Sequence, residues 1–256
     1  MIEQLQQLSI LATVNVSIAI AVFLRVGAAM AVLPAFGEQG VPQRVRLILA
    51  LCLTVLVYPV ILSGTSAPIP PLPQLIFSET VIGLAFGIAL RLMILALQVA
   101  GTMAAQSTSL SQIFAGAPNI DPQPAIGHFL VVAGLALAAM GDLHVHLTSA
   151  FIQTYELFPL GQFVPAADLT DWGVSRVANA FSTGFIMAGP FVIAALVYNL
   201  ALGVINRAMP QLMVVLVGAP AITLGGIVML MLAAPVMLQV WQSALLDTLR
   251  NPFDIP

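Results

Sequence analysis

The sequence predicts an all-α integral membrane protein with about six hydrophobic helical segments. Of its 256 residues, 60% are hydrophobic and only 7% are charged. A soluble domain carries about 25% charged residues, and a chain of this length cannot bury so much apolar surface in water. Several apolar runs reach the ~20 residues that cross a bilayer, and none alternates with the period of a strand. Because lipid offers the backbone no hydrogen-bond partners, we expect these runs to be helices.

Six blocks meet the length requirement, and some of them contain proline. Pro190 lies in the fifth block, and Pro220 and Pro235 lie in the sixth. Since proline removes a backbone donor, we expect these helices to be bent or broken, and the sixth block to form two shorter helices. The blocks run from Leu8 to Leu33, Val45 to Leu62, Leu75 to Met103, Ile126 to Phe151, Val177 to Ile205 and Leu212 to Leu246.

The connections indicate an orientation. The segment from Ser63 to Gln74 is proline-rich and predicted to be extended, the one from Phe158 to Arg176 is acidic, and the one from Asn206 to Gln211 is short. With six alternating spans, Arg44, Arg46 and Arg207 fall on one side, and Arg176 and Arg250 on the other. The excess of arginine favours the first side as cytoplasmic, with both termini outside. The N-terminus carries Glu3 and no basic n-region, so it is read as mature sequence.

The segment from Gln106 to Pro124 is an uncharged break between two apolar blocks, apart from Asp121. Serine, glycine and three prolines disfavour a regular helix there. Long loops in compact chains are usually functional or disordered. We interpret the segment as a pore plug or gate; the alternative is an ordinary solvent-facing connector. Its candidate residues are Gln106, Ser109, Ile113, Phe114, Gly116, Pro118 and Asp121.

Three charged residues lie within apolar blocks: Arg25, Glu79 and Arg91. Charges at membrane depth are costly and mark candidate functional sites. Glu79 and Arg91 are separated by about 120° and ~18 Å on a helix, so each needs another partner. Arg25 is a candidate partner for Glu79, and pairing with a neighbouring subunit is a second possibility. The alternative is that these side chains lie near helix ends and reach water.

Small residues in the third block predict close helix packing. Gly83 and Gly87 have G-x-x-x-G spacing, and Gly101 and Ala105 follow. Small residues one turn apart let helix backbones approach each other.

The sequence gives little support for a metal site, a proton relay, catalysis or nucleic-acid binding. Asp142 and His146 are spaced i, i+4, whereas His144 faces away from His146 and His128 is distant along the helix. We therefore prefer a helix end at the membrane surface to a metal site or proton relay. Cys52 lies in an apolar run and is read as a packing residue. No basic run, P-loop or nucleophile elbow is present, so no nucleic acid, cofactor or catalytic group is expected.

The chain resembles the FliR family of flagellar export-gate proteins, which is related to the SctT subunits of injectisomes. The resemblance rests on motifs spread in order along the chain: Arg25-Val26, Pro34, Phe36-Gly37, Val41-Pro42, Arg44-Val45-Arg46, Tyr58-Pro59, Glu79 with Gly83 and Gly87, Gln98, Gly101, Asp121-Pro122, Pro159-Leu160-Gly161, Asn206-Arg207, Pro210-Gln211 and Gly218. Family members often carry Gln-x-Gly where this chain has Gln106-Ser107-Thr108-Ser109.

The resemblance implies a non-enzymatic subunit of a helical export gate in the bacterial inner membrane, at the flagellar basal body. It implies FliP-like and FliQ-like partner subunits, associated FlhB-like and FlhA-like proteins, surrounding lipid, and unfolded flagellar proteins as cargo. The chain would then be one membrane domain, with a FliP-like part over residues 1–176 and a FliQ-like hairpin over residues 177–256. By the same comparison, Asn206, Arg207, Pro210 and Gln211 form a cytoplasmic hairpin tip.

The sequence leaves three alternatives open. The first is an injectisome subunit rather than a flagellar one. The second is a secondary transporter, which would share six or so Gly/Pro-interrupted spans and would show inverted repeats. The third is a membrane enzyme that uses Asp142 and His146 as an acid–base pair.

Overall fold

The computed structural model describes residues 2–34, 41–65, 69–108, 125–209 and 214–254. These residues form helices and connecting turns, with no strand among them, so the all-α fold class is confirmed. The helices are α1 (Ile2–Val32), α2 (Gln43–Gly64), α3 (Leu72–Ser107), α4 (Ala125–Met140), α5 (Leu143–Leu157), α6 (Ala166–Ala208) and α7 (Val214–Arg250).

Proline marks the start of three helices. The Pro42 carbonyl accepts the backbone N–H of Val45, and the Pro71 carbonyl accepts that of Gln74, both at 3.0 Å. At the start of α6, the Pro165 carbonyl accepts the backbone N–H of Leu169 at 3.1 Å. Proline suits a helix start because the first N–H groups have no intrahelical partner and its φ is already helical.

The fourth apolar block is two helices, not the single predicted span. The break lies at Gly141 and Asp142, and Asp142 has a left-handed φ of 54°. Aspartate adopts this conformation more readily than most residues other than glycine. A turn forms there because Asp142 cannot continue α4 in this conformation, and α5 begins on its carbonyl.

Of the two predicted effects of proline, a bent or a broken helix, the break is wrong for the fifth and sixth blocks, and the sixth block is not two shorter helices. Pro190 lies inside the continuous helix α6, and Pro220, Pro235 and the Gly225-Gly226 pair lie inside α7. A membrane helix tolerates proline where neighbouring groups satisfy the freed carbonyl. Helix α6 also begins eleven residues before the predicted block, so the acidic segment that contains Asp168 and Asp171 is helical rather than a connection.

The interpretation of Cys52 as a packing residue is also wrong, because its side chain is exposed. Helix α2 buries one narrow stripe, formed by Ala50, Thr54, Val57 and Ile61. Residues two apart on a helix diverge by about 200°. Cys52 therefore points away from the stripe.

The helices form two compact units, each built from separate stretches of the chain. The first contains residues 1–92, 141–176 and 245–256. In it, α2 packs on α1 and α5. An edge-to-face contact between Phe86 and Phe151, with ring centroids 4.9 Å apart, joins α3 to α5.

The second unit contains residues 93–140 and 177–244. Trp241 of α7 is fully buried in it and donates its indole N–H to the Met93 carbonyl at 2.7 Å. A cavity of about 150 Å³ lies between α6 and α7 beside Thr108. The division of the chain at residue 176 into FliP-like and FliQ-like parts stays a prediction.

Five of the described helices are long and apolar enough to cross a membrane, and a sixth span results if the bent pair α4 and α5 counts as one. Many large apolar side chains on α2, α6 and α7 are exposed on the isolated chain. Such faces are stable only against lipid or another protein.

Candidate functional site

The most polar feature of the first unit's interior is an ion pair between α1 and α3. Arg25 Nε donates to Glu79 Oε2 at 2.7 Å, and both side chains are 1% exposed or less. A buried charge is tolerated only when it is paired and fully hydrogen-bonded. Both helices must therefore keep this register.

The remaining donors of Arg25 meet the end of α5. Nη1 donates to the Thr154 carbonyl at 3.0 Å and to its hydroxyl at 3.1 Å, and Nη2 donates to the Phe158 carbonyl at 2.9 Å. The guanidinium also lies over the Tyr155 ring, with its central carbon 3.6 Å from the ring centroid. Only the forked, planar head of arginine can make these contacts together.

Glu79 uses its second oxygen to hold the turn that follows α5. The Gly161 backbone N–H donates to Glu79 Oε1 at 2.9 Å, and Gln74 Nε2 donates to the Gly161 carbonyl at 2.9 Å. Gly161 has a φ of 74°, and a Cβ there would lie 2.5 Å from Pro70. Glycine is required on both grounds.

This network joins α1, α3, α5 and the turn at Gly161 into one electrically neutral group. Glu79 therefore finds its partners within the chain and not on a neighbouring subunit. The carboxylate is enclosed on both oxygens, so the arrangement suits a fixed support for the helices better than proton transfer or ligand binding. The sequence does not predict that the Thr154 and Phe158 backbone carbonyls accept hydrogen bonds from Arg25, because every residue type carries a backbone carbonyl.

A second buried arginine holds the C-terminal segment. Arg176 Nη2 donates to the carbonyls of Asn251 at 2.9 Å and Asp254 at 2.7 Å. One helical turn earlier, Trp172 donates its indole N–H to the Pro252 carbonyl at 3.3 Å. Phe253 lies between Phe158 and Trp172, with ring centroids 4.8 and 5.3 Å away. The i, i+4 spacing of Trp172 and Arg176 is a sequence signal for this contact, but both residues lie in the segment that is predicted to be a connection.

The three glycines of α3 that are predicted to allow close helix packing, Gly83, Gly87 and Gly101, each lie against the backbone of another helix. A Cβ on Gly83 would collide with the Arg25 carbonyl of α1, and one on Gly87 would lie 2.7 Å from the Ala29 carbonyl. A Cβ on Gly101 would collide with Gly127 of α4. Each contact is with backbone, which cannot move aside as a side chain can.

Arg91 differs from Arg25, since its side chain is exposed. Within the described part of the chain it forms no ion pair. Of the three charged residues predicted within apolar blocks, Arg25 and Glu79 therefore form one buried ion pair, whereas Arg91 is exposed.

The remaining candidates are only partly described. Gln106 is in the last turn of α3, which extends to Ser107, so the break begins later than predicted. Asn206 and Arg207 are exposed in the last turn of α6. The other plug and hairpin-tip candidates lie outside the described residues: Ser109, Ile113, Phe114, Gly116, Pro118, Asp121, Pro210 and Gln211.

Asp142, His144 and His146 lie at the start of α5, a helix end as expected. Asp142 and His144 are exposed, and the Asp142 backbone carbonyl accepts the backbone N–H of His146 at 3.2 Å. Across residues 2–34, 41–65, 69–108, 125–209 and 214–254, no three His, Cys, Asp or Glu side chains are grouped as a metal site requires.

Comparison with known proteins gives a match along most of the chain. Residues 16–248 match the family described as bacterial export proteins, family 1. A flagellar biosynthetic protein FliR from Caulobacter vibrioides is 34% identical over 246 residues, covering 94% of this chain and 96% of the relative. The protein of the same name from Bacillus subtilis is 29% identical, with 90% and 92% covered. The one from Escherichia coli K12 is 28% identical, with 77% and 76% covered.

Proposed function

The chain belongs to the bacterial export protein family 1, whose FliR members it matches nearly end to end, and on that premise we propose that it is a subunit of the flagellar protein-export gate. The family membership establishes an export-related, membrane-embedded flagellar component and not an enzyme. We propose in addition that the chain helps to form and seal the export channel.

The observation that carries the proposal is the match over residues 16–248. It includes residues of each of the long apolar helices in the described part of the chain. The enclosed Arg25–Glu79 network supports a fixed scaffold, because its charged groups are already used to hold helices together.

A gate subunit needs partners, and the apolar faces of α2, α6 and α7 supply surface for them. Other export components are expected on the basis of the family. We propose FliP-like and FliQ-like chains as the direct neighbours, FlhB-like and FlhA-like proteins as associated ones, and the bacterial inner membrane as the location. The cargo would be unfolded flagellar proteins.

For the segment from Gln106 to Pro124 we propose the role of a plug. Its near-neutral composition suits contact with many different chains, since it neither attracts nor repels them strongly by charge. Ile113 and Phe114 would supply apolar contact for a seal.

The test uses a strain that lacks its own copy of this protein. The full-length chain should restore export of flagellar subunits, and deletion of Ile113 to Gly116 should make the closed membrane conduct ions. A matched variant in which these four residues become Ser-Gly-Ser-Gly separates loss of the apolar seal from loss of loop length. Absence of restored export would refute the gate proposal. An intact complex with background conductance in the deletion variant would refute the plug alone.

A further inference from the structure

A half-open cavity of about 390 Å³ lies in the first unit, where α2 and α5 end side by side. Its walls are mainly aliphatic side chains and two prolines, among them Ile61, Ile152 and Pro159. We call it the α2–α5 cavity. Its volume lies within the range of about 300–1,000 Å³ that ligand pockets occupy. The cavity therefore has room for a long side chain from another molecule.

Glu156 gives the α2–α5 cavity a negative charge. Among the described residues that line the cavity, Glu156 alone is charged, and its side chain is exposed. All seven arginines of the chain lie within the described residues, the chain has no lysine, and none of these arginines forms an ion pair with Glu156. Arg25, which meets the end of the same helix, is buried and already bound to Glu79. Glu156 is therefore open to a cation from outside the chain.

Glu156 also lies at the electrostatically unfavourable end of its helix. The last carbonyls of a helix carry a partial negative charge, which basic side chains normally offset. Helix α5 has no basic residue in its last turn. Residue 159 is proline and has no N–H to donate to the Tyr155 carbonyl. The Glu156 carboxylate adds to this negative charge, and a bound cation would offset both.

Elsewhere in this chain, arginine binds the carbonyls at helix ends. Arg25 donates to the Thr154 and Phe158 carbonyls at the end of α5, and Arg176 donates to the carbonyls of two residues that follow α7. The planar fork of arginine suits several such acceptors at once. At Glu156, acceptors of the same kind lie beside a carboxylate and an apolar cavity.

A cation that enters the α2–α5 cavity must carry apolar surface with it, because the walls are apolar. Arginine and lysine side chains join a cationic head to an aliphatic stem. The amine of a lipid headgroup would bring a phosphate as well, and none of the described lining residues has a positive charge to bind it. The cavity therefore suits a basic side chain of another protein better than a lipid headgroup.

We propose that the α2–α5 cavity receives an arginine or lysine side chain from a neighbouring subunit of the export gate. The cationic head pairs with Glu156, and the aliphatic stem packs against Ile61 and Ile152. The proposal rests on the proposed gate function, which supplies the neighbouring subunit, and it names the surface and the chemistry of the contact. Glu156 thus recognises a partner, whereas Glu79 holds the chain itself together.

The first measurement compares assembly of the complex with the stability of the isolated chain. E156R should lower the amount of complex recovered with the partner subunits roughly tenfold or more, because like charges opposed across an interface strongly disfavour binding. D171R is the matched control and should leave the complex intact, since Asp171 is an exposed acid outside the cavity. In the isolated chain, E156Q should leave the thermal stability unchanged or raise it, because it removes a negative charge from the negative end of α5.

The second measurement identifies what occupies the cavity. The photoreactive residue p-benzoylphenylalanine replaces Val60, which lines the cavity and is 45% exposed. Val55 of the same helix is the matched control, since it is 70% exposed and points about 140° away. We expect position 60, and not position 55, to cross-link to a partner-subunit peptide that contains arginine or lysine. Replacement of that basic residue with glutamate should restore assembly of the E156R variant.

A normal yield of complex with E156R would overturn the proposal, as would equal losses with E156R and D171R. Cross-links from position 60 to lipid alone would assign the cavity to a lipid instead. An isolated E156Q chain that is clearly less stable would give Glu156 a role in the fold and not in recognition. An unmodified chain that forms no complex would refute the gate function as well, which separates that failure from a failure of the Glu156 contact alone.

Discussion

Arg25 and Glu79 place two opposite charges where neither has access to solvent. Removing water from them is costly, and the cost is offset because the pair satisfies its donors and acceptors with Thr154, Phe158 and Gly161. Removing one charge of such a pair typically costs ~3–5 kcal/mol, because the other is left buried and uncompensated.

We therefore predict that E79Q and R25Q each lower the stability of the purified protein by about 3 kcal/mol, and that the double variant loses clearly less than the sum. Thermal denaturation in a mild detergent measures this, with the exposed Arg44→Gln as control. Additive single effects would mean that the two charges do not stabilise each other.

Among the residues, sequence reasoning could place Arg25 against Glu79 because charges at membrane depth require partners. It could not place Arg176, whose acceptors are backbone carbonyls of the C-terminal segment. A carbonyl is common to all residue types, so the sequence shows the i, i+4 spacing of Trp172 and Arg176 but does not identify the acceptors of their N–H groups.

At the scale of helices, the contact between α1 and α3 depends on the absence of a side chain at Gly83. A methyl group there would meet the Arg25 carbonyl and the Ala28 side chain. The same stretch of α1 carries Arg25 itself, so a shift of the backbone would also disturb the ion pair.

We predict that G83A destabilises the protein by about 1–3 kcal/mol, the usual cost of overpacking, despite the higher helix propensity of alanine. Gly173 in α6 is the matched control, since a Cβ there would meet nothing within 4 Å. G173A should be neutral or stabilising by up to ~1 kcal/mol. Equal thermal stabilities of the two variants would contradict the close-packing account.

The ends of a helix could be predicted where a long apolar run ends at polar residues. They could not be predicted where a single residue, such as Asp142, breaks an apolar run. The apolar blocks located α1, α2 and α3 to within a few residues at most ends. The break at Asp142 was missed because the flanking residues are as apolar as a single span requires. The prolines of α6 and α7 do not break their helices, because the loss of a backbone hydrogen bond is tolerated where neighbouring groups in a helical bundle satisfy the freed carbonyl.

For the whole molecule, the orientation rests on the distribution of arginines. Ala208, at the end of α6, is exposed beside Arg207. On a Cys52→Ala background, A208C should react with a membrane-impermeant maleimide from the cytoplasmic side only. Inside-out and right-side-out vesicles distinguish the sides, and reaction from the periplasmic side would reverse the proposed orientation.

Helices α2, α6 and α7 expose large apolar faces, and Arg91 is an exposed charge on α3. Both features suit a chain that functions in a complex with other subunits. The most direct measurement is affinity purification of the full-length chain in mild detergent from cells that contain its FliP-like and FliQ-like proteins. The account predicts a single stable complex with both partners, whose loss abolishes flagellar export. A chain that purifies alone, and that as a monomer drives robust uptake of a small solute into liposomes, would contradict it.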